Sequence, residues 1–302
     1  MTLVCIPWSE PEVVASVVPA GVDWVTYDGT GEVPRSDEVD FFVPPYMGAD
    51  HTLQVMEHMS SLKAVQTLTA GVDNVWAHLP SGVTLCNAKG VHDASTAELA
   101  VGLTIASLRK FPDFVRAQET GDWLYGRYDA LADKTVLIVG FGSVGEALEQ
   151  RLIPFEVTIV KVARTARAGV SGFESLAQLL PQADVVILTA PLTEQTRGLV
   201  NSAFIESMKP GALLVNVARG PVVNTEDLLA AVKTGRIKAA LDVTDPEPLP
   251  ADHELWRTPG VLISPHVGGN TTAFLPRAYR LVHAQLLRYV ANEPLHNVMT
   301  AP

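Results

Sequence analysis

Three side chains with anion-binding or acid–base chemistry stand late in this 302-residue chain, each just beyond an apolar run. Arg219 follows the run at 212–217, Glu247 lies in Asp245-Pro246-Glu247-Pro248-Leu249 after 238–242, and His266 follows 261–263. A guanidinium is a rigid fork of donors that matches a carboxylate or a polarised carbonyl oxygen. An imidazole titrates near neutrality and can give and take a proton, and a neighbouring carboxylate can hold its ring. Apolar runs of this length read as buried strands, and open α/β sheets bind their ligands beyond strand carboxyl ends. Singly, a structural Arg or a core His is the ordinary reading; the three in this order read as a catalytic set. His92 and His253 fall in loops outside any such motif.

A fourth feature precedes these. Gly140-Phe141-Gly142-Ser143-Val144-Gly145 follows the strand pattern at 135–139 and opens the helical pattern at 146–152. In that setting the glycines serve a tight turn, close approach of a pyrophosphate and close helix–strand packing. The helix N-terminus adds free N–H donors and a positive dipole end. The next strand pattern, 157–162, runs into Arg164-Thr165-Ala166-Arg167, and no Asp or Glu lies between 157 and 172. A carboxylate in this place accepts from a ribose 2′-OH and repels a 2′-phosphate. Arg164, Thr165 and Arg167 instead offer two cations and a hydroxyl, so NADP(H) is the expected cofactor, with NAD as a second possibility.

Apolar strands alternate with helical stretches through most of the chain. Helices are expected at 13–18, 53–59, 97–108, 173–180, 202–208, 225–234 and 271–291, and strands at 41–43, 64–68, 135–139, 157–162, 184–188, 212–217, 238–242 and 261–263. The alternation implies parallel sheet covered on both faces. After Pro112 a polar connector with Trp123, Tyr125 and Tyr128 is expected.

Acidic residues number 33 against 22 basic ones, a net charge of −11, which argues against nucleic-acid or anionic-membrane partners. Local donors must therefore capture an anionic ligand. The two cysteines, Cys5 and Cys86, have no metal-ligand spacing and read as buried free thiols of a reducing, cytoplasmic setting; no metal site is expected. The first residues carry no signal-peptide pattern, and no apolar run is long enough for a membrane span.

Asn216-Val217-Ala218-Arg219-Gly220, Ala240-Leu241-Asp242-Val243 through Glu247-Pro248-Leu249, and Ser264-Pro265-His266 resemble the D-isomer-specific 2-hydroxyacid dehydrogenase family, in particular its glyoxylate/hydroxypyruvate reductase-like members. The resemblance covers nearly the whole chain and is most specific over 133–272. It implies a Rossmann-type doubly wound parallel-sheet cofactor domain, 98–274, inserted into a smaller flavodoxin-like α/β substrate domain, 1–97 plus 275–302. It implies NAD(P)H-dependent reduction of a small 2-oxo acid to the D-2-hydroxy acid, with Arg219 holding substrate, His266 moving the proton and Glu247 holding His266. Asp242 would orient the nicotinamide carboxamide and Thr96 would line its site. Pro191, Thr196 and Ala218 complete the expected cofactor contacts. Backbone amides of Thr69, Ala70 and Gly71 would bind the substrate carboxylate. Family members work as dimers joined through the cofactor domains, which assigns that role to 97–108 and the aromatic connector.

Where phosphoglycerate-type members carry an Arg, this chain has Thr67 and Leu68, and the stretch 44–48 also lacks a cation. A small substrate without a phosphate is therefore expected. The alternatives are a phosphoglycerate dehydrogenase-like enzyme, a formate- or phosphite-oxidising relative, and a non-catalytic, nicotinamide-sensing corepressor-like protein. The absence of long disordered arms or a basic face favours the enzyme.

Overall fold

The structure, a computed structural model, describes residues 2–300. In chain order its strands are β1 (Leu3–Ile6), β2 (Asp23–Thr26), β3 (Phe41–Phe42), β4 (Ala64–Gln66), β5 (Thr84–Cys86), β6 (Thr135–Val139), β7 (Thr158–Ala163), β8 (Ser171–Gly172), β9 (Val185–Leu188), β10 (Leu213–Asn216), β11 (Lys238–Leu241) and β12 (Val261–Ile263). The α-helices are α1 (Pro11–Val17), α2 (His51–Gln54), α3 (Asp93–Leu108), α4 (Phe111–Thr120), α5 (Ser143–Leu152), α6 (Leu176–Leu179), α7 (Ser202–Ser207), α8 (Thr225–Lys233) and α9 (Phe274–Val290). Two compact units emerge: Met1–His92 with Thr272–Pro302, and Asp93–Thr271. The cuts fall at the start of α3 and just before α9, so each helix belongs whole to one unit.

The first unit is a parallel sheet of order β2-β1-β3-β4-β5, the flavodoxin-like winding. Because successive strand residues face opposite sides, Val4, Ile6 and Phe41 pack with Phe274, Ala278, Val282 and Leu286 of α9, while Leu3, Cys5 and Phe42 pack with Leu53, Met56 and Leu85. Cys5 and Cys86 are free and buried, and burial pushes their thiols up to about 12 and about 11.

The second unit is a parallel sheet of order β12-β11-β10-β9-β6-β7-β8, a Rossmann-type doubly wound sheet with one added edge strand. Val136, Ile138, Val185, Ile187, Leu213 and Val215 face α3 and α5; Leu137, Val139, Val186, Leu188 and Leu214 face α7 and α8. Uninterrupted apolar strands are thus accounted for by helices on both faces. Among the described residues no helix is long and apolar enough to cross a membrane.

Three elements differ from expectation. In 53–59 the α-helix ends at Gln54 and a 3₁₀ turn at Val55–His58 follows. Residues 111–120 form α4, where a connector was expected: Pro112 stands in the first turn of this helix, where its fixed φ fits, instead of closing α3. The stretch 173–180 is only one short α-helix, flanked by 3₁₀ turns at Phe173–Ser175 and Leu180–Gln182, the second containing Pro181.

At the start of β3, Asp40 is buried with Oδ1 lacking a hydrogen-bond partner and Oδ2 3.9 Å from Lys63 Nζ. Burial raises its pKa, and the Lys63 ammonium only partly opposes this. A carboxyl whose folded pKa exceeds its unfolded one penalises the fold above both values, and the penalty fades as pH falls through the folded value. Asp40→Asn should therefore raise Tm by about 2 °C at pH 7 and by less at pH 4. Thermal melts at the two pH values check this; an equal shift at both removes the charge explanation.

Candidate active site

The order β12-β11-β10-β9-β6-β7 places six parallel strand ends side by side, roughly 24 Å from first to last. Reading along that edge, His266 follows β12, Asp242 and Glu247 follow β11, Arg219 follows β10, Pro191 follows β9, the glycine turn follows β6, and Arg164 follows β7. The sheet order alone therefore lines up residues spread over more than a hundred positions of sequence.

The glycine turn occupies the switch point between β6 and β9, where the winding reverses. Gly140 has φ +105°, and a Cβ there would strike the backbone of Ala190. Its carbonyl accepts from Thr189 Oγ1 at 2.5 Å, which ties the turn to the end of β9. A Cβ on Gly145 would lie 2.7 Å from the Gly140 carbonyl oxygen, so this glycine lets α5 start close to the strand. Gly142 is different: a Cβ there meets nothing within 4 Å. Gly142 is the N-cap of α5 and makes no side-chain cap, and first-turn N–H groups of a helix lack intrahelical acceptors. The turn thus presents open space, donors and a positive dipole end, which fits a dinucleotide pyrophosphate.

Beyond β7, Arg164, Thr165 and Arg167 are all exposed, and Arg167 folds back onto the glycine turn. Its guanidinium donates to the Phe141 carbonyl at 2.6 Å and lies 5.6 Å from the Phe141 ring centroid. Lys161 Nζ, paired with Glu149 at 2.7 Å, lies 5.0 Å from the same ring. Arg167 therefore braces the glycine turn although, like Arg164 and Thr165, it is exposed.

At the other end of the edge, the loops are locked by backbone contacts. Asn216 donates to the Arg219 carbonyl at 3.0 Å and accepts from the Ala218 N–H at 3.0 Å, fixing the turn that carries Arg219. Gly220 has no room for a Cβ because the Thr244 carbonyl stands there, so the Arg219 turn lies against the 244–247 loop. Asp242, buried at 3% exposure, accepts from Ser264 Oγ at 2.6 Å, Val267 N–H at 3.0 Å and Gly268 N–H at 2.9 Å. These bonds wrap 264–268 around one carboxylate, with His266 at its apex in a left-handed conformation, φ +51°. His266 Nδ1 lies 2.5 Å from Glu247 Oε1. A carboxylate oxygen can only accept here, so Nδ1 carries the proton and Nε2 is left to exchange one with a ligand. The imidazole is about one-third exposed.

The other expected residues take distinct places. Thr96 lies beside Gly268, its side chain 3.5 Å from where a Cβ would stand. The Thr196 hydroxyl donates to the Pro191 carbonyl at 2.6 Å and accepts from Thr193 N–H at 2.8 Å, so it shapes the 191–196 loop from within. Ala218 is buried and its carbonyl accepts from Arg219 at 2.8 Å. Thr69, Ala70 and Gly71 form a partly exposed loop in the first unit. His253 caps a 3₁₀ turn by accepting from Leu255 N–H. Thr189 and Asn216 had no sequence signal beyond being polar residues at apolar strand ends. A cavity of about 270 Å³ in the second unit, lined by Ile105, Leu108, Leu131 and Phe155 among others, lies toward the amino ends of the strands, away from this edge.

A doubly wound sheet with a glycine turn at its switch point defines a dinucleotide-binding protein. Residues 101–268 match the model of the D-isomer specific 2-hydroxyacid dehydrogenase, NAD binding domain. The chain is 36% identical over 226 residues to a Mus musculus glyoxylate reductase/hydroxypyruvate reductase, covering 70% of this chain and 69% of that one. It is 33% identical over 254 residues to the Homo sapiens protein of the same name, covering 78% and 76%. Among solved structures, a D-isomer specific 2-hydroxyacid dehydrogenase from Xanthobacter autotrophicus Py2, in complex with NADPH and MES, superposes with a TM-score of 0.83 at 30% identity, over 99% of this chain and 98% of that one. The chain belongs to the D-isomer specific 2-hydroxyacid dehydrogenase family.

The two glycines make opposite predictions. Gly142→Ala should keep Tm within about 2 °C yet weaken dinucleotide binding about tenfold or more, because its methyl would fill space meant for ligand. Gly140→Ala should lower Tm, because its methyl meets backbone at a positive φ. Melts and fluorescence titration of the dinucleotide separate the two; unchanged affinity in Gly142→Ala would place the pyrophosphate elsewhere.

Proposed function

We propose that this protein reduces a small, unphosphorylated 2-oxo acid of the glyoxylate or hydroxypyruvate type to the D-2-hydroxy acid, using NADPH in preference to NADH. The observation that carries the reading is the His266–Glu247 pair at 2.5 Å, held beside the Arg219 turn at the strand ends of a dinucleotide-binding sheet. Family membership and the similarity to proteins named for glyoxylate and hydroxypyruvate reduction support it. The nicotinamide, when bound, supplies the hydride. Arg219 binds the substrate's carboxylate or carbonyl oxygen and stabilises negative charge developing there. His266 Nε2 gives the proton that the carbonyl oxygen takes up, and Glu247 holds Nδ1–H and stabilises the cationic ring. The exposed side of the ring allows its reprotonation from solvent. The amides of the Thr69–Gly71 loop bind the substrate carboxylate, and Thr96 and Asp242 adjoin the nicotinamide end of the cofactor. The first unit is accordingly the substrate domain and the second the cofactor domain.

Support for NADPH comes from the missing acid after β7, the exposed Arg164 and Thr165, and the NADPH complex of the similar dehydrogenase. The working form is a homodimer: Phe111, Val115, Leu124 and, at 92% and 93% exposure, Trp123 and Tyr125 present apolar surface of the kind that pairs in assemblies. A reducing cytoplasm suits the two buried free thiols.

Purified protein should oxidise NADPH with glyoxylate or hydroxypyruvate at a higher kcat/KM than with 3-phosphohydroxypyruvate. His266→Ala should lower kcat by about 10²–10⁴ with NADPH affinity retained, and Glu247→Gln should lower it less. A phosphorylated acid as best substrate, or a His266→Ala enzyme of full activity, would overturn the assignment.

The cofactor cluster divides by geometry. Arg164→Ala should weaken NADPH binding about 10–100-fold and leave NADH unchanged, as expected for loss of a charge-assisted contact to the 2′-phosphate. Arg167→Ala should weaken both cofactors together, because the Phe141 carbonyl and the glycine turn lose their brace. Titrations of both dinucleotides check this, and equal affinity of the wild type for NADH and NADPH rejects the preference.

A further inference from the structure

The loop at 68–71 of the first unit has an unusual hydrogen-bond pattern: four consecutive carbonyls are each taken by a side chain. His92 Nε2 donates to the Leu68 carbonyl at 2.7 Å, Thr67 Oγ1 to that of Thr69 at 2.9 Å, Asn87 Nδ2 to that of Ala70 at 2.7 Å, and Thr69 Oγ1 to that of Gly71 at 2.8 Å. The Thr69 carbonyl also accepts from Ala88 N–H at 2.9 Å. The first three donors are buried, at 7%, 1% and 9% exposure for His92, Thr67 and Asn87. In a trans peptide the carbonyl of one residue and the N–H of the next point in opposite directions. Holding the Thr69 and Ala70 carbonyls inward therefore turns the N–H groups of Ala70 and Gly71 outward, as two adjacent donors. Successive outward amides form a concave anion site.

We infer that Asn87 is the positioning residue of the substrate-carboxylate loop, fixing the Ala70–Gly71 peptide so that the Gly71 N–H faces the substrate. The inference rests on the proposed role of that loop. Asn87 suits the task because it is itself immobilised from several directions. Its Oδ1 accepts from Lys89 N–H at 3.1 Å, its N–H donates to the Asn297 carbonyl at 3.1 Å, and its carbonyl accepts from Gln66 Nε2 at 3.1 Å and Asn297 Nδ2 at 3.3 Å. Gln66 and Gln285 are fully buried and joined at 2.7 Å, and Gln285 also holds His296 through N–H and carbonyl at 2.8 and 3.0 Å. A polar network inside an apolar core is costly unless satisfied, and satisfied it is rigid. The Asn87 amide links this network to the Ala70 carbonyl.

The test uses oxamate, an amide analogue of a 2-oxo acid, titrated into the NADPH-loaded protein while the amide resonances of Ala70 and Gly71 are followed by NMR. KM values for glyoxylate and NADPH are measured alongside. In the wild type both amides should shift on saturation. Asn87→Asp, which replaces the donor by an acceptor facing a carbonyl, should raise the oxamate Kd and the glyoxylate KM about tenfold or more. The NADPH KM should be unchanged. A merely structural defect would lower the amount of active enzyme, and hence kcat, at unchanged KM. If the variant does not fold, Asn87→Ser, which shortens the side chain without adding charge, decides by the same measurements. Should the wild-type amides not respond to oxamate, the loop is not the carboxylate site and both readings fall. Should they respond while a folded variant keeps oxamate Kd and glyoxylate KM within about twofold, the inference on Asn87 alone is overturned.

Discussion

One buried carboxylate organises the candidate active site of this protein. Asp242 accepts from Ser264, Val267 and Gly268, and the segment between those donors has no freedom left except to turn tightly. The turn drives His266 into a left-handed conformation, which L-residues adopt only when their surroundings impose it. Without the clamp nothing in the local sequence would hold the imidazole against Glu247. The interior location of the carboxylate strengthens each of the bonds it accepts, so the loop is rigid without metal or disulfide.

The same logic recurs along the sheet edge. Asn216 clamps the Arg219 turn, Thr189 the glycine turn, and Thr196 the 191–196 loop, each through side-chain bonds to backbone. Strand order sets where each loop emerges, and a polar side chain at or near the strand end sets its shape. Asn216, Thr189 and Thr196 hold these loops from within. Arg167, whose charge suggested contact with a ligand, also holds a loop, through its bond to the Phe141 carbonyl.

How much of this could be read from sequence depends on what carried the signal. Long apolar runs such as 135–139 and 185–188 announced buried parallel strands, and the glycine spacing announced the turn between them. The edge strands β8, Ser171-Gly172, and β2, the part-exposed Asp23-Trp24-Val25-Thr26, contain no apolar run that would show them. Pro112 was ambiguous, because proline both ends a helix and begins one, and only tertiary context selected α4. Arg219, Glu247 and His266 were legible from their motifs. Asn87, Asn216 and Thr189 were not, because a side chain acting through a distant carbonyl leaves no mark on local periodicity.

The first unit is made of the two ends of the chain, and this has a consequence for its biosynthesis. Val4, Ile6 and Phe41 need Ala278, Val282 and Leu286 of α9 as packing partners, and Gln66 needs Gln285. Between them lie the roughly 180 residues of the second unit, which take about 10–40 s to translate. During that interval one face of the nascent first sheet stays bare while the second unit has everything it requires to fold. A growing chain of this design therefore carries a sticky surface on its first sheet until α9 emerges, and it is there that a chaperone on the ribosome would find its client.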